Sequence, residues 1–420
     1  MTALLKLKST PWELWLPFLA IIALPFGRSV ELFTLIMAVI GLSDLIKNKH
    51  DIRHSFGFKT FTAFFLCFWV PALLSLPDAF DLSRSSSSTF GILRFYFAGL
   101  FIINRISSDK HHQWLGIGIA LTLVFWSLDA WLQLLSGTDM FGLAAYSSNR
   151  ISGIFGEDAK LGLMIIPFLG VSIAALKEKW GITFSIITTL VIISAVLISG
   201  DRASWVSLFT ALCLWLILFR PKNINFSQTH FIAAVVGLIL MAGTVISTPQ
   251  FQSTINRSIM VLSGDYKDIN RASSSRLPIW LTALNMFSDN AINGVGVRSF
   301  RYAYPDYAQK NDPFVNFSIP REKQSGPMHT HQIILEFMTD TGLIGLIGYI
   351  IALWILFIIW RQIARSKQSA IATGYLISLM VILFPINTHM SFFSSNWAQV
   401  VWFLVALCVS ALATTKQKEH

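Results

Sequence analysis

The chain has 420 residues, of which 54% are hydrophobic and 13% charged, and its mean hydropathy is +0.60. Soluble domains carry about 25% charged residues, so a soluble enzyme, a disordered chain and a secreted disulfide scaffold are all excluded. The net charge of +10 does not indicate nucleic acid, because the 32 Lys and Arg residues lie in small groups between apolar runs rather than along one stripe.

In chain order, the apolar runs predict about twelve membrane-spanning helices, at 11–27, 30–46, 58–76, 90–104, 114–136, 161–176, 182–200, 204–219, 231–248, 341–360, 370–386 and 397–414. Helix is required, because an open strand edge leaves backbone groups unpaired in lipid. Pro17 and Pro25 are placed to bend the first span. No cleavage pattern follows that span, so it is expected to remain as an anchor. Cys67, Cys213 and Cys408 fall inside spans and are read as small buried hydrophobes, with neither metal spacing nor a disulfide.

Orientation follows from the connections. With the N-terminus inside, the inner connections hold seventeen Lys and Arg, and the short outer ones hold five: Arg28, Arg84, Arg150, Lys160 and Arg202. This excess predicts both termini in the cytoplasm. The connection 249–340 is longer and carries nine more basic residues, but long translocated segments escape the charge rule. It is read as one large periplasmic loop within a single integral-membrane domain, 1–420. Inside it, Leu277, Trp280, Leu281, Leu284 and Phe287 predict an amphipathic helix over 275–287, which is equally suited to lying on a membrane surface.

Three polar segments on the outer side are candidates for chemistry. Ser199 to Trp205 is a tight gap between two apolar spans, where Arg202 either snorkels to lipid headgroups beside Asp201 or grips an anionic substrate. Asn270 to Leu277 opens the amphipathic helix, so Arg276 and free backbone N–H groups face the same point. Met328-His329-Thr330-His331-Gln332 leads past Glu336 into the next span. Its His-x-His lacks a third ligand at recognisable spacing, so a proton acceptor is the better reading than a metal site. A helix starting at Gln332 would leave His331 at its positive end, which favours the neutral ring. His389 is a further polar residue on that side, able to orient a group or cap its span. The serines 85–88 read as a polar outer loop. The other histidines accompany cytoplasmic basic clusters. No Walker A, GxGxxG, DxD or His-Glu-x-x-His pattern is present.

In this order the three segments resemble the O-antigen ligase family. The family's outer-face turn with an arginine is matched by Ser199 to Trp205. Its Arg-x-x-x-Trp helix followed by Gly-x-Gly is matched by Arg276 to Trp280 and then Gly294-Val295-Gly296, leading to Arg298 and Arg301. Its histidine, polar residue, nine residues and Gly-x-x-Gly are matched by His331-Gln332 and Gly342 to Gly345. The segment Arg150 to Ala159 resembles a stretch that often reads Gly-x-Phe-x-Asn in relatives, and departs from it in having Glu157 and Asp158 in place of the asparagine.

The resemblance implies an all-α polytopic, GT-C-like fold whose large periplasmic loop contains short helices, in the bacterial inner membrane. It implies an inverting glycosyltransferase without metal or other cofactor. The donor would be a glycan on undecaprenyl pyrophosphate and the acceptor a hydroxyl of the lipid A–core oligosaccharide. His331, Arg202 and Arg276 would be catalytic. Arg202, Arg276, His329, Arg298, Arg301 and His389 would bind substrate. Inner-membrane lipids and a monomeric state complete the expectation. A polymerase joining repeat units on the same carrier would use the same pyrophosphate clamp. A transporter would be favoured by transmembrane charge pairs lining a path, for which Arg94 and Asp129 are the conspicuous interior candidates.

Overall fold

A computed structural model of the chain describes residues 12–148, 150–219, 243, 245–365, 370–386 and 390–419. Among them the chain is helical, and its β pairing is limited to isolated bridges at Thr138–Ala144 and Ser147–Arg150. Seven described helices are long and apolar enough to cross a membrane: Leu24–Lys47, Phe56–Leu74, Leu82–Arg105, Asp109–Ser136, Leu161–Ile198, Ile333–Ala364 and Ser395–Thr414. Trp12–Ile22 and Ala370–Ile382 are shorter apolar helices. The chain is an all-helical polytopic membrane protein.

The span expected at 231–248 lies largely outside the described residues. Those expected at 161–176 and 182–200 form one element broken at Gly181. One boundary needs correction. The fourth span begins at Leu82 rather than at 90, so serines 85–88 are helical and not a loop. Asp81 caps this helix by accepting from the Arg84 N–H at 2.9 Å, and Ser85 is fully buried.

The apolar sequence is distributed according to position in the bundle. In the last helix 94% of the apolar window is buried, against 33–61% in the other spans, so this helix is the centre around which the rest pack. Trp402 meets Phe61, Phe64, Phe65, Phe68 and Phe392 there, at ring-centroid distances of 4.9–6.3 Å. Leu32, Leu35, Val39, Phe209, Ile217 and Trp354 remain exposed, the pattern of helices with an outer face for lipid. Cys67, Cys213 and Cys408 are free thiols.

The described connections 75–81, 137–148, 150–160, 199–201, 247–332, 383–386 and 390–394 meet at one end of the bundle. They are held together by Phe80 N–H to Val295 O (2.9 Å), Gln250 Nε2 to Ser148 O (3.0 Å), Thr254 Oγ1 to Gly200 O (3.3 Å) and Gln332 Nε2 to Pro385 O (2.7 Å). The long connection has its own small core of Ile279, Ala283, Met286, Val295, Phe300, Ala303, Tyr304 and Val315.

The amphipathic helix is present as Leu277–Asp289, but it buries a different face from the expected one. Ile279, Thr282, Ala283 and Met286 point inward, while Leu281 and Leu284 are 45% and 48% exposed. Both stripes have helical spacing, so periodicity alone cannot rank them.

The two glycine patterns form one joint. The Ile333–Arg365 helix is interrupted at Gly342 (φ +64°, ψ −155°), a conformation essentially confined to glycine. A Cβ there would lie 2.2 Å from the Ile292 carbonyl oxygen. Around it, Val295 and Gly296 N–H donate to the Thr339 and Asp340 carbonyls (2.8 and 3.1 Å), and Leu343 N–H donates to Ala291 O (2.7 Å). On its other side the joint is equally tight, since a Cβ at Gly296 (φ +92°) would meet Ala79 and Ser85 at 2.6 Å. We expect Gly342→Ala to lower the stability of the detergent-purified protein by at least about 2 kcal/mol, read as a fall in its thermal midpoint. An unchanged midpoint would contradict this account of the joint.

Candidate active site

Arg202 opens the Arg202–Phe219 helix immediately after Gly200-Asp201. Asp201 is 9% exposed and caps that helix, accepting from the Ser204 N–H (3.0 Å) and from the Ser204 hydroxyl. The Arg202 guanidinium reaches across to the second segment. It donates to the Ala272 carbonyl, and through Nη2 to Ser274 Oγ at 2.7 Å. This contact fixes the turn preceding Arg276, where Ser274 and Ser275 both have positive φ (+60° and +61°). The helix therefore starts two residues later than expected, with Arg276 at its N-cap and Pro278 in the first turn.

Two more arginines join them. The charges acting most on Arg202 are those of Arg257, Arg276, Arg150 and Asp201. Arg276 has its pKa lowered, first by burial and then by Arg150, with Asp201 opposing. Arg202 and Arg276, both half-buried, thus feel Asp201 and one another's charge together with that of Arg150, and Arg257 adds its charge at Arg202. Such a cluster carries unmatched positive charge, and an anion bound among them would relieve both the repulsion and the desolvation.

Sequence reasoning did not select Arg150 or Arg257. Arg257, on the Pro249–Ile259 helix, also donates to Ser253 Oγ (3.3 Å). Arg150 is placed from the end of the Asp109–Ser136 helix. Gln133 Oε1 accepts from the Ser152 and Gly153 N–H groups (3.0 and 2.8 Å), and Asp129 accepts from the Met140 N–H (2.9 Å). Asp129 therefore anchors this loop. The Glu157 and Asp158 departure lies on the surface, where Asp158 pairs with Lys160 at 2.7 Å.

The histidines adjoin the Arg276 helix through Trp280, one turn on, whose Nε1–H donates to the Thr330 carbonyl at 3.0 Å. His331 has φ +53°, outside the helix, which begins at Ile333. Gln332 supplies the cap, its Oε1 accepting from the Leu335 N–H (2.6 Å). The His331 N–H donates to His329 Nδ1 (3.1 Å), and the two rings lie 3.9 Å apart. This bond requires a lone pair on His329 Nδ1 and fixes the two rings relative to each other. Glu336, 1% exposed, turns away and accepts from Ser391 Oγ (2.6 Å) and the Phe392 N–H (2.8 Å).

Among the described residues, non-glycine positive φ occurs only at Ser274, Ser275, Arg298 and His331. All four lie in segments selected from sequence. Strained backbone of this kind costs about 1–3 kcal/mol per residue and persists only where the surrounding fold holds it.

Arg298 and Arg301 lie apart from the Arg202 cluster. The charges acting on Arg298 are those of Arg84, Asp340, Glu336 and Arg301. Arg301 donates to Met328 Sδ (3.0 Å) and Ser325 Oγ (3.3 Å), bracing the strand of chain that leads to His329. His389 lies outside the described residues. Among those described, no three His, Cys, Asp or Glu side chains gather as a metal-binding group.

Residues 187–350 match the family model described as O-antigen ligase. That stretch carries the O-antigen ligase domain. It contains Arg202, Arg257, Arg276, Arg298, Arg301, His329 and His331, whereas Arg150 and Arg84 reach the loop end from outside it. No curated protein compared with the chain matches it. The match supports an O-antigen ligase- or polymerase-like function in lipopolysaccharide biosynthesis for that stretch.

Proposed function

We propose that the protein is an inverting, metal-independent glycosyltransferase of the bacterial inner membrane. It moves a glycan from undecaprenyl pyrophosphate to a hydroxyl of the lipid A–core oligosaccharide. The observation that carries this reading is the adjacency of an arginine cluster, which suits a pyrophosphate, to a fixed histidine pair. The acceptor oxygen bonds to the anomeric carbon as the bond from that carbon to the pyrophosphate oxygen breaks, and His331 takes the acceptor proton. Arg202 and Arg276, with Arg150 and Arg257 beside them, neutralise charge arriving on the leaving pyrophosphate. A planar guanidinium matches phosphoryl oxygens better than an ammonium does.

The charge bias of the connections supports a periplasmic site, cytoplasmic termini and a substrate tail lying against the apolar spans among inner-membrane lipids. A cysteine at exposed Lys323 should react with an impermeant reagent in intact spheroplasts. Reaction only after lysis would reverse the topology. Of the two candidates for a transporter, Arg94 pairs with Glu31 at 2.7 Å near the first turns of their helices, and Asp129 accepts the Met140 N–H at 2.9 Å.

The test is a defined reaction with purified donor, offering lipid A–core and a second carrier-linked repeat unit as acceptors. We expect transfer to lipid A–core, unchanged by EDTA, with monomeric protein. Transfer only to the repeat unit would make the protein a polymerase. Loss in EDTA restored by a divalent ion would remove the metal-independent mechanism.

A further inference from the structure

A second group of arginines lies at the same end of the bundle. A cavity of about 150 Å³ is bounded by Arg84 and Ser88 of the fourth span, Arg94, Arg298, and Phe393 and Ser395 at the start of the last helix. Holding one water takes about 10–15 Å³, so the space admits a phosphate group.

Arg94 is already committed. It makes two bonds to Glu31 (2.7 and 2.8 Å) and donates to the Gly91 carbonyl and to Ser395 Oγ (3.0 Å). Because Ser395 accepts there, its own O–H remains to be given. Arg84 and Arg298 differ from Arg94, since neither has a carboxylate within ion-pair distance among the described residues. Arg298 has its pKa lowered, mainly by burial and then by Arg84, with Asp340 opposing.

The position of Arg298 is built in. Its backbone is held at φ +65° by Asp340, which accepts its N–H at 3.0 Å. Buried Ser85 ties the preceding carbonyl, Val297 O, to the Arg84 helix at 2.9 Å and also bonds Ser299 Oγ (2.9 Å). Three segments distant in sequence are thereby locked around one cavity, and Phe393 gives it an apolar wall.

We infer that this cavity is a second anion site, distinct from the Arg202 cluster, which takes a phosphate monoester carried on an amphiphile. Arg84, Arg298 and the Ser88 and Ser395 hydroxyls supply the donors, and the apolar wall meets the non-polar part of the ligand. A monoester carries more charge than the diester of an ordinary phospholipid, which suits two guanidinium groups with no ion-pair contact among the described residues. The further step, that the occupant is the acceptor glycolipid held ready for transfer, rests on the proposed function; the anion site itself does not.

The test is isothermal titration of the full chain in detergent, in a background that removes the first cluster by Arg150→Gln, Arg202→Gln, Arg257→Gln and Arg276→Gln. The probes are dihexanoyl phosphatidic acid, dihexanoyl phosphatidylglycerol and inorganic phosphate. Phosphatidic acid should bind about tenfold or more tighter than either other probe, and adding Arg84→Gln and Arg298→Gln should weaken it about tenfold or more. Exposed Arg84 replaced alone is the safeguard against misfolding, with about threefold weakening or more expected for loss of one charged contact. Equal binding of phosphatidic acid with and without the arginines would overturn the site. Equal binding of inorganic phosphate would overturn the amphiphile and leave free phosphate as the source. Because transfer is not measured, failure here is separate from failure of the proposed reaction.

Discussion

Replacing His331 with alanine is expected to lower glycan transfer by about 10²- to 10⁴-fold, the range for removing a positioned general base. The expectation rests on geometry as well as residue type. His331 is held at φ +53° beside the start of the Ile333–Arg365 helix, with its backbone N–H on His329 Nδ1 and its ring 3.9 Å from that of His329. His329→Ala should be milder, about tenfold, because it removes an acceptor for one N–H and loosens the ring pair without removing the base. His329 then acts as a positioning residue, and its loss should fall on kcat with KM unchanged. Asn at 329, whose side-chain oxygen can accept the same bond, should restore much of the rate. Normal transfer by His331→Ala would remove the general-base mechanism.

The arginines carry the second large effect. Arg202→Ala and Arg276→Ala should each cost about 2–4 kcal/mol of transition-state stabilisation, roughly 30- to 1000-fold in rate. Their lysine variants should separate the two roles. Arg276→Lys keeps the charge and loses only the fork, so it should recover part of the activity. Arg202→Lys should recover less, because Arg202 also holds the Ala272 carbonyl and Ser274, and so the turn that places Arg276. The double alanine variant should be less damaging than the product of the singles, since both groups serve one cluster. Thermal midpoints of the same preparations distinguish a lost contact from a lost fold. Full activity in both alanine variants would be incompatible with a shared clamp.

Much of this was legible in the sequence. Apolar run length predicted the described membrane-length helices, and short polar segments between them drew attention to Arg202, Arg276 and His331. Other features were not legible, for identifiable reasons. Arg150 and Arg257 are far apart in the chain and look like ordinary loop charges. They converge because Gln133 and Asp129 hold one loop while Gln250 ties the Pro249–Ile259 helix to it. The left-handed residues Ser274, Ser275, Arg298 and His331 carry no glycine or asparagine to announce that conformation. Leu277–Asp289 offers two apolar stripes, and only the small core around Tyr304 selects the one containing Ile279 and Met286. The serines 85–88 have loop-like composition, yet the buried Ser85 makes them part of a helix docked on the glycine joint.

In the proposed mechanism, arginines hold the donor and a histidine activates the acceptor. The most direct test measures both on one protein: binding of purified undecaprenyl-pyrophosphate glycan to His331→Ala, alongside single-turnover transfer to lipid A–core. Donor affinity should stay within about threefold of wild type while transfer falls at least about 100-fold. Transfer near the wild-type rate, or a loss of donor binding as large as the loss of transfer, would contradict this mechanism.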